Sequence, residues 1–250
     1  MSVTEMPSSG TATRLQPSTS DGPLVEFAEL VRVLQDLPSL AEVLEHAVAG
    51  AARLVGPAKH VTVSVIDHRA QRTTVATSAV AREIDEAQFA RGDGPGVCAM
   101  EQGTAVRSDN GRAANRWPQL GSVLKEAGVD NVLCLPLSAT DGTFGSLSLF
   151  GAPGAAFGTP DVAGAEAWAA IVALSLLPHR RASQWQEALD SRDVIGQAKG
   201  ILMERFRISA DAAFAMLVEA SQTRNRKLRD IAATITETGQ DLTAVPRRRS

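Results

Sequence analysis

The hydrophobic period changes along this chain, and that change constrains its fold more than any other feature. Between His60 and Phe150 apolar residues alternate or run in short blocks, whereas on either side they recur every three or four positions. A period near two suits a strand and one near 3.6 suits a helix. The sequence therefore predicts a sheet domain entered through helices and followed by helices alone. Val61, Val63 and Val65 alternate with Thr62, Ser64 and Ile66 across His60–Asp67, and Gln71–Ser78 reads as the partner strand. Thr104–Arg107 is a short strand. Asn131–Leu137 and Thr143–Phe150 are apolar strands joined at Asp141-Gly142, a pair that tolerates the positive φ of a tight hairpin.

Two helical stripes precede the strands: Leu24, Phe27, Ala28, Leu30 and Val31, then Leu40, Val43, Leu44 and Val48 after the Pro38–Ser39 break. Gly92-Asp-Gly-Pro-Gly96 reads as a loop, Val97–Gln102 as a short helix, and Trp117–Ala127 as a helix stopped at Gly128. Together these predict an α+β domain with a largely antiparallel sheet flanked by helices. A long helix begins at Pro160. Ala163, Ala167, Ile171 and Leu174 form a candidate coiled-coil seam on it, and Pro178 is expected to interrupt or kink it.

From about Ser183 three amphipathic helices with short connections predict a small all-α bundle. The first runs to Phe206, with Val194, Ile195, Ala198, Ile201, Leu202 and Phe206 on one arc. Arg192, Gly196, Lys199 and Gly200 fall beside that arc, and Arg205 falls within it, so there the helix frays or the guanidinium snorkels out. Ser209 caps the second helix and Asn225 is placed to cap the third, which carries Leu228, Ile231, Ala232 and Ile235. Trp185 and Phe214 are expected to be buried or to sit in a coiled coil.

Arg224, Arg226, Lys227 and Arg229 crowd the start of the third helix, where its dipole disfavours cations. A docked phosphate would explain that placement, and so would solvated surface arginines. Gly196 and Gly200 each cost about 0.8–1 kcal/mol of helix propensity relative to alanine. Close packing of a neighbouring helix, or close approach of a nucleic-acid backbone, would offset that cost.

The remaining inventory narrows the function. The chain has 250 residues, 44% hydrophobic and 21% charged, enough for one large or two smaller domains. Residues 181–250 hold 12 Lys+Arg against 9 Asp+Glu, while residues 1–180 hold 13 against 19, so the C-terminal part suits an anionic partner. Cys98 and Cys134 lack CxxC or Cys/His spacing, which argues against a structural zinc site and for a reducing, cytoplasmic setting. His46, His60, His68 and His179 are scattered, and no nucleophile–base or metal-binding motif appears, so neither an enzyme nor a bound cofactor is expected. No uninterrupted apolar run reaches the length of a membrane span, so no membrane partner is expected.

Ser191-Arg-Asp-Val-Ile-Gly-Gln-Ala-Lys-Gly-Ile-Leu-Met-Glu204, Ile208–Phe214 and Ala220-Ser-Gln-Thr-Arg-Asn-Arg-Lys-Leu-Arg-Asp-Ile-Ala232 resemble the ANTAR family. That resemblance implies a three-helix domain that binds paired stem-loops in leader RNA and prevents terminator formation. It also implies dimerisation through the preceding helix. By the same resemblance Arg192, Lys199, Gly200, Arg205, Arg224, Asn225 and Lys227 are the candidate RNA-binding residues.

Upstream, Gln88–Pro95, Val106–Asp109, Arg116–Pro118, Val132–Leu137 and Gly145–Phe150 resemble a GAF sensor domain. This implies an unidentified small-molecule ligand. The expected organisation is a disordered segment at 1–22, a sensor at 23–178, a reader at 179–240 and a flexible basic tail at 241–250. The competing function is a DNA-binding helix-turn-helix factor with the same sensor.

Overall fold

The computed structural model describes residues 22–67 and 72–238. The expected tail at 241–250, the turn containing His68, and all of the expected 1–22 segment except Gly22 lie outside them. The chain divides into two compact units, Met1–Leu177 and Pro178–Ser250.

The first unit opens with α1 (Gly22–Asp36) and α2 (Leu40–Leu54). Ser39 caps α2, its Oγ accepting from Glu42 N–H at 3.2 Å. Five strands follow: β1 (Ala58–Ile66), β2 (Arg72–Ala76), β3 (Val106–Ser108), β4 (Asn131–Ala139) and β5 (Gly142–Gly151). They pair antiparallel in the order β2-β1-β5-β4-β3. Between β2 and β4 lie α3 (Ala79–Arg91), α4 (Pro95–Gln102), α5 (Arg112–Arg116) and α6 (Pro118–Glu126).

Strand alternation sorts the sheet into two faces. Val61, Val63, Leu133, Leu135, Leu147 and Leu149 join Leu34, Val43, Leu44, Trp168 and Val172 in one core. Val132, Cys134 and Phe150 face Ile84, Ala99, Trp117, Leu120 and Leu124 in the other. Gly50 is required on the first side, because a Cβ there would come within 2.3 Å of the Trp168 ring. Trp168 Nε1 donates to Ala47 O at 2.8 Å, fixing the start of α7 against α2.

The sequence reading missed α3 and α5. The buried residues of α3 are Ala81, Ile84, Asp85 and Gln88. Half of that face is polar, so no apolar stripe marks the helix. The hairpin also differs by a residue: Ala139 pairs with Gly142, leaving Thr140 and Asp141 as the loop.

Helix α7 runs unbroken from Thr159 to Phe206 with Pro178 inside it. Proline forfeits one amide hydrogen bond, but its fixed φ lies in the helical range; of the expected interruption or kink, the interruption does not occur. The proposed seam divides. Ile171 packs against the sheet core, whereas Leu174 is 65% exposed and Ala163 and Ala167 are exposed. By length and composition α7 could cross a membrane, which a search for uninterrupted apolar runs overlooks. Its apolar N-terminal half instead packs onto the sheet through Ala165, Trp168, Val172 and Leu176.

In the second unit, the end of α7, α8 (Ala210–Arg224) and α9 (Leu228–Thr238) surround a small core of Ala198, Leu202, Ala213, Leu217, Ile231, Ala232 and Ile235. Ser209 caps α8 by accepting from Ala212 N–H at 3.2 Å.

Candidate functional site

Each unit has one chemically distinctive region. In the first it lies beneath α3. Thr62, Ser64, Ser146 and Ser148 are completely buried on the sheet face that α3 covers, as are Asp85 and Gln88 of that helix. The strand register sets Ser64 opposite Ser146 and Cys134 opposite Ser148. Asp85 Oδ2 accepts from Ser64 Oγ at 2.5 Å, Arg72 Nη1 at 2.6 Å and Thr74 Oγ1 at 3.2 Å. Its Oδ1 accepts from Thr62 Oγ1 and Gln88 Nε2, each at 3.1 Å. A buried carboxylate needs this many donors to offset its lost hydration.

The network continues in both directions. The Arg72 guanidinium lies 4.4 Å from the centre of the Phe89 ring. Gln88 Oε1 accepts from Gly96 N–H at 2.8 Å, tying α3 to the start of α4. Gly94 has φ +150°, and a Cβ there would collide with Gln88 Cβ, so this position of the Gly-Pro-Gly turn admits no larger residue. Ser146 Oγ meets no hydrogen-bond partner among the described residues. Burial pushes the Cys134 thiol up to about 12, against a weak opposing influence of the Ser148 hydroxyl. Sequence reasoning did not single out Asp85 or Arg72, and it met Gln88 and Ser146 only as parts of the segments that resemble a GAF domain, without a role for either. The available signal was the polar face of β1 and β5, Thr62/Ser64 and Ser146/Ser148, at the centre of a sheet that helices must cover on both sides.

In the second unit the seven candidate residues fall into three places. Arg192, Lys199 and Gly200 share an outer face of α7; Arg192 and Gly200 are exposed and Lys199 is half-buried. Cβ atoms built on Gly196 and Gly200 would meet nothing within 4 Å. That removes close packing by another helix of the same chain as the reason for these glycines and leaves bare backbone at its surface. Arg205 is exposed and the helix continues through it, so the guanidinium snorkels and the helix does not fray there.

The remaining three residues, Arg224, Asn225 and Lys227, occupy the α8–α9 connection. Asn225 does not cap the third helix. It ends α8 in the left-handed conformation at φ 48°, with its N–H directed to the Gln222 and Ser221 carbonyls. Asparagine reaches that conformation more cheaply than most residues. Arg224 therefore lies in the last turn of α8, where the dipole favours a cation.

The anomaly expected at the third helix largely disappears. Asp230 supplies an acid to the first turn of α9, and Arg229 forms an ion pair with Glu187 of α7. Between them lies a cleft of about 320 Å³ lined by Gln184, Glu187, Ala188, Ser191, Lys227 and Arg229. The two aromatics expected to be buried or to sit in a coiled coil are not buried within the chain: Trp185 is 73% and Phe214 42% exposed.

Comparison with solved structures supports the fold of the first unit. A GAF domain from a Coxiella burnetii phosphoenolpyruvate-protein phosphotransferase matches with a TM-score of 0.52 at 16% identity, covering 67% of this chain and 99% of that one. The corresponding Acinetobacter domain matches with a TM-score of 0.51 at 14% identity, covering 66% and 97%. At these identities the likeness concerns the fold alone. The GAF domain family model matches residues 38–176, so the chain belongs to the GAF domain family. The ANTAR domain model matches residues 183–235, and the two together make this a GAF and ANTAR domain regulator. Comparison with curated proteins returns no match.

Proposed function

We propose that this protein is a cytoplasmic transcription antitermination regulator, not an enzyme. Its C-terminal unit binds hairpin loops in leader RNA, and its N-terminal unit gates that binding in response to a small molecule. The sensor takes residues 23–178 and the reader 179–240. One observation carries the reading: in the segment that matches the ANTAR domain, Arg192, Lys199 and Lys227 sit at the surface around a wholly apolar core, and Arg192 and Lys199 share their face of α7 with backbone bared by Gly196 and Gly200. Cations fix phosphates, and an exposed helix backbone lets a ribose-phosphate strand approach closely. Arg205, Arg224 and Asn225 extend the same contact set.

The helix-turn-helix alternative loses support from α9. Ile231, Ala232 and Ile235 are buried in the bundle, and Arg229, its best base-reading residue, is engaged by Glu187. On the sensor side the unpartnered Ser146 hydroxyl supports a polar ligand under α3. Exposed Trp185 and Leu189 on α7 support a homodimer formed along that helix.

The test is binding of the full-length protein to an RNA carrying two hexanucleotide-loop hairpins, with a loop-swapped RNA and duplex DNA as competitors at fixed salt. Preference for the intact loops is the expected result. Equal competition by all three polyanions would overturn the assignment. Light scattering with and without RNA tests the dimer, and a concentration-independent monomer in both conditions excludes it.

A further inference from the structure

An aromatic ring faces water on the second helix of the reader. Phe214 is 42% exposed, although its neighbour Ala213 is completely buried in the bundle core. Lys199 Nζ lies 5.7 Å from the centre of the Phe214 ring. On α7, Arg192, Gly196, Lys199, Gly200 and Met203 recur at three- and four-residue spacing, which places them on one face. Met203 is 37% exposed, and beta-carbons on the two glycines would meet only open space.

These observations select one kind of occupant. An exposed ring gains by being covered with a flat apolar partner. An ammonium beside it favours a ligand that also carries negative charge. The two glycines leave room for a backbone to lie against the helix. A nucleotide from an unpaired strand meets all three conditions: its base has a π face, its phosphate is anionic, and its sugar-phosphate chain is narrow.

We infer that Phe214 is a base-stacking residue. One unpaired base of an RNA loop lies on its ring, while Lys199 and Arg192 hold adjoining phosphates along the surface bared by Gly196 and Gly200. This rests on the RNA-binding reading above and adds to it a contact of a different kind. Stacking is uncharged, so its loss lowers affinity without releasing counterions.

The experiment uses the full-length protein, the two-hairpin RNA and three salt concentrations. Phe214→Leu keeps apolar bulk and removes the π face; it should weaken binding roughly 5- to 150-fold with an unchanged salt slope. Phe214→Trp should retain affinity, and its indole fluorescence should be quenched on binding. Lys199→Ala should instead lower the salt slope by about one. Circular dichroism and sedimentation of each variant register any loss of fold or self-association.

Wild-type binding equalled by Phe214→Leu would overturn the stacking role and leave RNA binding intact. A Phe214→Leu defect in self-association alone would also overturn it, identifying the ring as a contact between copies of the chain. Wild-type protein that ignores the hairpins would overturn the underlying reading, and the stacking role with it.

Discussion

The two units handle polar chemistry in opposite ways. Under α3 the sensor places Asp85, Gln88, Thr62 and Ser64 completely out of water and satisfies them with one another and with Arg72. The reader's core is entirely apolar, and its cations stand at the surface. A buried polar network is stabilised only when its members are all present, so it couples any change in one member to the whole face. A surface cation adds little to the fold and is available to a ligand. Polar residues in the sensor are therefore structural as well as chemical, whereas in the reader folding and binding are separable.

Asp85→Ala is the most severe test of that contrast. It leaves Arg72, Thr62, Ser64 and Gln88 without their shared acceptor and should cost about 3 kcal/mol. Arg72 retains some access to water, which keeps the loss at the low end of the range for broken buried pairs. Urea unfolding followed by fluorescence, dominated by the buried Trp117 and Trp168, reads it directly. A midpoint equal to wild type would mean that the network contributes nothing to the sensor fold.

Lys199→Ala should change the unfolding free energy of the reader, followed by its helical circular dichroism, by no more than about 0.5 kcal/mol while weakening hairpin binding. Loss of folding together with binding would end the claim that the two are separable in the reader.

The thiols give a subtler contrast within the sensor. Cys134 is completely buried and its ionisation is pushed up to about 12, whereas Cys98 is partly accessible. At pH 8 an aromatic disulfide reagent should modify Cys98 first and reach Cys134 only on unfolding. The sign of the linkage follows. With a folded-state value above the unfolded one, the thiol's contribution is fully present below about pH 9 and is lost as pH rises toward 12. A Cys134→Ser variant should show a weaker loss of stability across that window.

What could be read from the sequence follows the same division. Alternation along β1, the apolar runs of β4 and β5, and the helical stripes of α2, α8 and α9 were plain because apolar side chains mark their buried faces. Helix α3 was hidden because Asp85 and Gln88 occupy its inner face, and those same residues build the polar network. Helical periodicity also cannot distinguish a stripe covered by the fold from one left open. Phe214 and Trp185 were therefore expected inside or in a coiled coil, and neither is buried within the chain. Asn225 was placed one helix too late, because an asparagine between two helices suits the end of one as well as the start of the next.

Gly200→Ala is expected to make a small change in the fold, of opposite sign to the others, and it bears most directly on why the reader's surface is built as it is. A methyl group at this position meets nothing within 4 Å, so no steric penalty opposes it. Alanine is the better helix former, and the variant should be more stable than wild type by about 0.5–1 kcal/mol, read as a rise in Tm. A glycine that weakens its helix without relieving any contact inside the chain is explained by a partner that comes close to the backbone. Hairpin affinity should therefore fall as stability rises, and the Gly196→Ala change should do the same on the same face of α7. If both variants are stabilised and bind RNA as tightly as wild type, the strand does not run over this surface, and the reader's contacts must then centre on Arg224, Asn225 and Lys227 instead.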